Sequence, residues 1–140
     1  MSEENKALVR RAFDEMLNKK NLASAEQFIA PNYVGHFSGT PGPINGIEGF
    51  KQFLGIYNSA IPDSTVTFDS ILAEGDRVAA RLTYRGTHSG ALMGIPPSNK
   101  TIQITSINIL RLVNGKAVEQ WAVTDDLGLM QQIGVIPPPK

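Results

Sequence analysis

Apolar residues recur at helical spacing early in the chain and at every second position later on. From Ser2 to about Lys19, Leu8, Ala12, Phe13, Met16 and Leu17 share one face, with Glu3 and Glu4 in the first turn and Lys19 and Lys20 in the last. That pattern predicts a one-sided helix. Asn21 can cap a second, short helix in which Leu22, Ala25, Phe28 and Ile29 face inward and which Pro31 stops. Asn32 to Phe37 is too short to classify alone, and a Gly- and Pro-rich loop, Ser38 to Asn45, follows. Asn45 and Glu48 have capping-box spacing at the head of a third helix. Its stripe is Ile47, Phe50, Phe53, Leu54 and Tyr57, and Pro62 and Asp63 end it.

Beyond Ser64 the period falls to two, which predicts antiparallel sheet. Val66, Phe68, Ser70 and Leu72 alternate along one strand, Glu74-Gly75-Asp76 turns it, and Arg77 to His88 returns. On that returning strand Val78, Ala80, Leu82, Tyr84 and His88 share one face, while Arg77, Arg81 and Arg85 share the other. After a loop from Gly90 to Asn99, Thr101 to Val113 forms a strand whose apolar positions change parity. Either a bulge bends it or both of its faces are partly covered. Asn114-Gly115 is a type I′ hairpin signal, leading to a strand from Lys116 to Asp125 that places Ala117, Glu119, Trp121, Val123 and Asp125 on one face. A helical turn from Leu127 to Ile133 precedes a tail containing Pro137, Pro138 and Pro139, expected to fray. Helices followed by strands predict one α+β domain over residues 1–140, with helices on one face of a curved sheet and a conical cavity between them.

Composition narrows the classes. Lys and Arg total 13 and so do Asp and Glu, so no net field draws the chain to nucleic acid or an anionic membrane. The absence of cysteine excludes disulfides, thiolate catalysis and Cys-based metal sites. The first twenty residues match neither a signal peptide nor a membrane anchor, which predicts a cytoplasmic protein. No H-x-x-x-H or H-E-x-x-H occurs, and no metal is expected. Ser38, Ser89 and Ser98 lack nucleophile-elbow context, and Gly94-Ile95-Pro96-Pro97 is not a phosphate loop.

Gly86-Thr87-His88-Ser89-Gly90-Ala91-Leu92-Met93-Gly94-Ile95-Pro96-Pro97-Ser98-Asn99-Lys100 resembles the G-T-H-x-G-x-[FL]-x-G-x-P-P-T-G-K segment of the SnoaL-like polyketide cyclases (ester cyclases). Pro31 to His36 resembles their P-x-Y-x-x-H, Gly46 to Lys51 the start of their third helix, and Glu119 to Asp125 their E-x-W-x-x-x-D. The resemblance runs from about residue 7 to 134. It implies the NTF2-like (cystatin-like) cone-shaped barrel, N-terminal helices on a mostly antiparallel sheet, a homodimer formed by the sheets, and no cofactor. Ser98-Asn99 in place of Thr-Gly, and Ala91 and Leu92 where bulkier residues are common, fall at the pocket mouth and bear on substrate choice.

By the same resemblance Asp125 matches the general acid/base of the cyclases, which takes a proton from a carbon acid beside a carbonyl so that the enolate attacks a second carbonyl. Strand parity puts Asp125 inside and Asp126 outside; the competing role for either is to cap the following turn. His88 would polarise the substrate carbonyl or shuttle a proton, and otherwise is a satisfied core histidine. His36 is weighed between the same catalytic part and a surface residue. Tyr33, Phe53, Tyr57, Leu92, Met93 and Trp121 are candidates to line the pocket, with core packing the rival role for Phe53 and Tyr57. The expected function is a cofactor-free acid/base enzyme acting on a small hydrophobic carbonyl compound by intramolecular aldol cyclisation. The alternatives are a non-catalytic binding protein, or an isomerase or epoxide hydrolase on the same scaffold, the last disfavoured because no arginine falls on an inward strand position.

Overall fold

The computed structural model describes residues 2–137, so Pro138 and Pro139 of the expected frayed tail lie outside the described residues. Helix α1 (Ser2–Phe13) buries Val9, Ala12 and Phe13, then widens into a π-helical turn, Asp14–Asn18, that buries Met16. The chain continues through a 3₁₀ turn, Leu22–Ser24, into α2 (Ala25–Phe28). Asn21 precedes that turn without capping it; its side chain donates to Glu15 instead. Likewise Asn45 stands at the N-cap of α3 (Gly46–Ala60) but makes no side-chain cap bond, so the capping-box spacing is not used.

Among the described residues six strands form one sheet in the order β2-β1-β6-β5-β4-β3, with β1 (Ile29–Phe37), β2 (Ile44–Asn45), β3 (Thr65–Glu74), β4 (Arg77–Thr87), β5 (Thr101–Val113) and β6 (Lys116–Thr124). The segment Asn32 to Phe37, unassigned from sequence, belongs to β1 and pairs in parallel with β6; all other pairings are antiparallel. Asn114 and Gly115 both take positive φ, 52° and 77°, as a type I′ turn requires. The α+β expectation holds.

Two one-residue irregularities correct the expected strand faces. Phe68 pairs with Leu82 but Ser70 pairs with Arg81, leaving Asp69 as an extra residue in β3. Val66 and Phe68 therefore point into the core, and beyond the irregularity Ile71 and Ala73 do so, while Leu72 is 67% exposed. In β6, Ala117 pairs with Leu112 but Glu119 pairs with Arg111, leaving Val118 as the extra residue. Such an insertion exchanges the two faces of everything that follows. Ala117 is inward, then Gln120 and Ala122 are buried, and Glu119, Trp121 and Val123 face the other side. Strand β5, by contrast, keeps one parity throughout. Ile102, Ile104, Asn108, Leu110 and Leu112 are buried, and Ile107 and Ile109 lie on the exposed face. The apparent parity change marks two covered-and-exposed apolar sets, with polar Ser106 and Asn108 in the inward row.

The buried residues form two clusters. The larger joins α1, α2 and α3 to the sheet through Phe13, Phe28, Tyr33, Phe50, Leu54 and Leu82, among others. The smaller, at the other end of the sheet, contains Ala60, Ile61, Leu92, Ile102, Ile104, Leu129 and Ile133. Here the loop after β4 packs against α4 (Asp126–Gln132) and the end of α3. Among the described residues no helix is long and apolar enough to cross a membrane.

Candidate functional site

Between the helices and the inner sheet face lies a cavity that opens to solvent. The helices contribute Val9, Phe13, Met16, Phe53 and Tyr57, and the sheet contributes Tyr84, Ile104, Ser106, Asn108, Gln120 and Thr124. The wall is overwhelmingly apolar, so each polar group in it carries weight for recognition.

Three of those polar groups are linked in one line that ends on Tyr33. The Tyr33 hydroxyl donates to Gln120 Oε1 at 2.7 Å, Gln120 Nε2 donates to Asn108 Oδ1 at 3.0 Å, and Asn108 Nδ2 donates to Ser106 Oγ at 3.1 Å. Tyr33 is 1% exposed, and burial pushes its phenol far above the ordinary tyrosine range, so it stays protonated. Its ring crosses directly over Gly35, where any side chain would collide with the Tyr33 hydroxyl and the Phe37 ring. Gly35 thus makes room for the first member of the line.

At the mouth stands Asp126. Strand β6 ends at Thr124, and Asp125, outside the strand, turns the chain into α4 with φ −72° and ψ 71°. The Asp125 carboxylate is exposed and accepts from Gly128 N–H at 2.9 Å, serving as the N-cap of α4. The next side chain, Asp126, lines the cavity. Its Oδ2 accepts from Ser38 Oγ at 2.6 Å, and that hydroxyl in turn accepts from Thr124 N–H at 3.0 Å. The expected inside and outside positions of the two aspartates are thereby exchanged. Two phenols share the chamber. Burial raises Tyr57, and the negative charge of Asp126 raises it further. Tyr84 is pushed up to about 12, chiefly by burial. The Tyr84 hydroxyl is buried with no partner in hydrogen-bonding geometry, although the Ser64 hydroxyl lies beside it.

The other expected site residues are placed elsewhere. His88 is fully buried but does not line the cavity. Its Nδ1 accepts from Ser98 N–H at 3.2 Å and lies 2.9 Å from Ser98 Oγ, while its backbone bonds to Asn99 and Lys100. The histidine fastens the loop after β4. A backbone N–H can only donate, so the ring proton sits on Nε2, which is buried without a partner. Leu92 is fully buried beneath the same loop, and Met93 is 56% exposed. His36 and Trp121 are on the outer sheet face: His36 Nε2 lies 2.8 Å from Glu119, and the two rings stack at 5.8 Å. The Arg77 guanidinium covers Trp121 at 5.1 Å from the ring centre. Tyr33 stands behind Gln120 and not in the wall itself. Phe53 and Tyr57, expected as lining candidates with core packing as the rival role, do line the cavity. Ser106, Asn108 and Gln120 were not singled out by sequence reasoning, and Asp126 was expected outside; the inward parity of β5, and the irregularity at Val118, are what bring them together.

A cone of helices over a curved mixed sheet, with an apolar chamber and a few polar groups aimed into it, is the architecture of small-molecule NTF2-like proteins. The chain belongs to the SnoaL-like polyketide cyclase family, whose model matches residues 7–133. It is 26% identical over 118 residues to nogalonic acid methyl ester cyclase of Streptomyces nogalater, an alignment covering 84% of this chain and 88% of that protein. Among solved structures, IdmH of Streptomyces antibioticus is 31% identical with a TM-score of 0.81, covering 93% of this chain and 98% of its own. A SnoaL-like protein of Jannaschia sp. CCS1 shares the fold with a TM-score of 0.88 at 24% identity, over 99% of this chain and 95% of that one.

Proposed function

We propose that the protein is a cofactor-free acid/base enzyme that closes a ring in an apolar carbonyl compound held in the cavity, with Asp126 as the proton-transfer group. The observation that carries this is the position of Asp126: it is the one carboxylate, among the described residues, that lines the apolar chamber. A carboxylate there can take a proton from carbon beside a carbonyl. The enolate carbon then attacks a second carbonyl of the same molecule, and the resulting alkoxide recovers the proton. Ser38 orients the carboxylate through its 2.6 Å bond and competes for one oxygen only, leaving Oδ1 available. The named activity of the Streptomyces nogalater relative supports ring closure as the reaction class. No arginine lines the cavity among the described residues, so hydrolysis of the Asp-Arg-Asp type has no support.

The test is Asp126→Asn, with nogalonic acid methyl ester as the probe substrate and product formation followed by chromatography. Native turnover is expected to fall about a hundredfold or more while ligand affinity is retained. Unchanged turnover in the variant overturns the assignment. One observation favours a second function, non-catalytic binding: Ser106, Asn108 and Gln120 on the deep wall are all neutral, with neither acid nor base among them. Binding of the probe without conversion by the native protein selects that alternative.

The outer sheet face supports self-association. Leu72, Ile107, Ile109 and Val123 are exposed there, and Leu72, Ile109 and Trp121 fall on one row through the pairings with Ala79 and between β5 and β6. A second copy of the chain would cover this apolar row, with Arg77, Arg111 and Glu119 at its margin.

A further inference from the structure

We infer that the deep wall of the cavity is a donor-rich recognition site for a carbonyl or enolate oxygen, and that Tyr33 sets this polarity from behind. The inference relies on the cavity being the ligand site, as proposed above, but not on turnover.

The direction of the polar line follows from its buried end. Gln120 is the hydrogen-bond partner of the Tyr33 hydroxyl, and Tyr33 is 1% exposed. If that hydroxyl accepted from Gln120, its own proton would be left in the core without an acceptor. It therefore donates, and Gln120 must present Oε1 to Tyr33 and its amide nitrogen to Asn108. Asn108 then has its carbonyl occupied and turns its nitrogen to Ser106 Oγ. Each amide uses one N–H in the line and retains a second, and the Ser106 hydroxyl, already accepting, keeps its proton to give. Each amide carbonyl along the wall already accepts one bond within the line, while two N–H groups and one O–H remain wholly free to give to a ligand.

A further donor stands close by. Tyr84 and Ile104 are paired, as are Leu82 and Ser106, so Tyr84 and Ser106 are diagonal neighbours on the inner face. The Tyr84 hydroxyl is buried beside the Ser64 hydroxyl without a bond of good geometry, and its burial keeps it protonated at neutral pH. An apolar chamber whose deep wall presents convergent free donors fits a flat apolar molecule that leads with an oxygen acceptor. A ligand leading with an amine or hydroxyl donor meets the wrong sign on the deep wall, its free acceptor being Asp126 at the mouth. Donors placed where an enolate oxygen would form also stabilise that oxygen as its charge develops.

The experiment uses three tricyclic probes of similar shape: 9,10-anthraquinone, which only accepts; anthracene, which does neither; and 2-aminoanthracene, which donates. Affinities are measured by equilibrium dialysis on the native protein and on Ser106→Ala, Asn108→Leu and Tyr33→Phe, with circular dichroism as the folding control. Native protein is expected to prefer anthraquinone to anthracene about tenfold, the scale of one or two neutral hydrogen bonds. Ser106→Ala, the mildest change, should reduce that ratio, and Asn108→Leu should bring it to about twofold or less. Tyr33→Phe frees Gln120 to turn its carbonyl outward, and so should raise the relative affinity for 2-aminoanthracene. Equal binding of anthraquinone and anthracene, preference for the amine, failure of all three probes to bind, or a ratio untouched by Ser106→Ala and Asn108→Leu overturns the inference. A protein that keeps the ratio but converts no substrate sinks the enzymatic proposal alone. One that cyclises its substrate without the ratio sinks this inference alone.

Discussion

A side chain at position 128 would collide with the Asp125 carboxylate, which accepts from the backbone N–H of that same residue at 2.9 Å. Gly128 and Asp125 therefore act as one device that starts α4, and Asp126 owes its position at the cavity mouth to it. Asp125→Ala removes the cap, and the expected loss is about 1 kcal/mol of folding stability, read from urea denaturation. Gly128→Ala should cost a similar amount by displacing the same carboxylate. Substrate conversion is expected to survive both changes better than it survives Asp126→Asn. Conversion lost in Asp125→Ala with stability unchanged would return the chemistry to Asp125. Adjacent aspartates thus divide into one that holds the backbone and one that meets the ligand.

At the level of elements, the connection from α3 to β3 is fastened to the end of β4 by Asp63. Its carboxylate accepts from the Thr87 backbone N–H at 2.7 Å and from the Thr87 hydroxyl at 2.8 Å. Those bonds, the backbone one first, hold the Asp63 carboxyl below the ordinary aspartate range. A carboxyl whose folded pKa is depressed stabilises the fold fully above the unfolded value and loses that contribution as pH falls through the folded one. Asp63→Asn is therefore expected to flatten part of the decline in Tm on acidification below about pH 4; an identical acid limb in the two proteins would contradict this. The elements themselves were largely legible in the chain. The stripes of α1 and α3, the turn at Asn114-Gly115 and the face carrying Val78, Ala80 and Leu82 all follow from local periodicity. What periodicity could not give was the parallel pairing of β1 with β6, which depends on contacts far apart in sequence, or the extra residues at Asp69 and Val118. An irregularity has no compositional signature, and each one inverted the expected facing of what lay beyond it. Phe53 and Tyr57 were accessible because a helix keeps its phase; Gln120 and Asp126 were not, because β6 does not.

For the molecule as a whole, the sheet has two unlike faces. The inner one lines the chamber, and the outer one exposes Ile107 at 55% and Val123 at 69%, more than scattered surface residues on an isolated chain would explain. Replacing Ile109 and Val123 together by lysine is expected to convert a homodimer to a monomer in light scattering without loss of the cavity's ligand affinity. A native protein that is monomeric at micromolar concentration removes the basis for that expectation. The irregularity at Val118 has a bearing on how relatives are compared. A strand of the same residues without the irregularity would bring Glu119, Trp121 and Val123 to the chamber and send Gln120 and Ala122 outward, whereas deletion of Val118 itself would leave the pairings on either side, and so the wall, as they are. A gap misplaced by one position there would equate chamber residues in one protein with surface residues in another. Sequence alignments across the family should therefore be anchored on the pairing of Leu112 with Ala117 and of Arg111 with Glu119, not on the tryptophan alone.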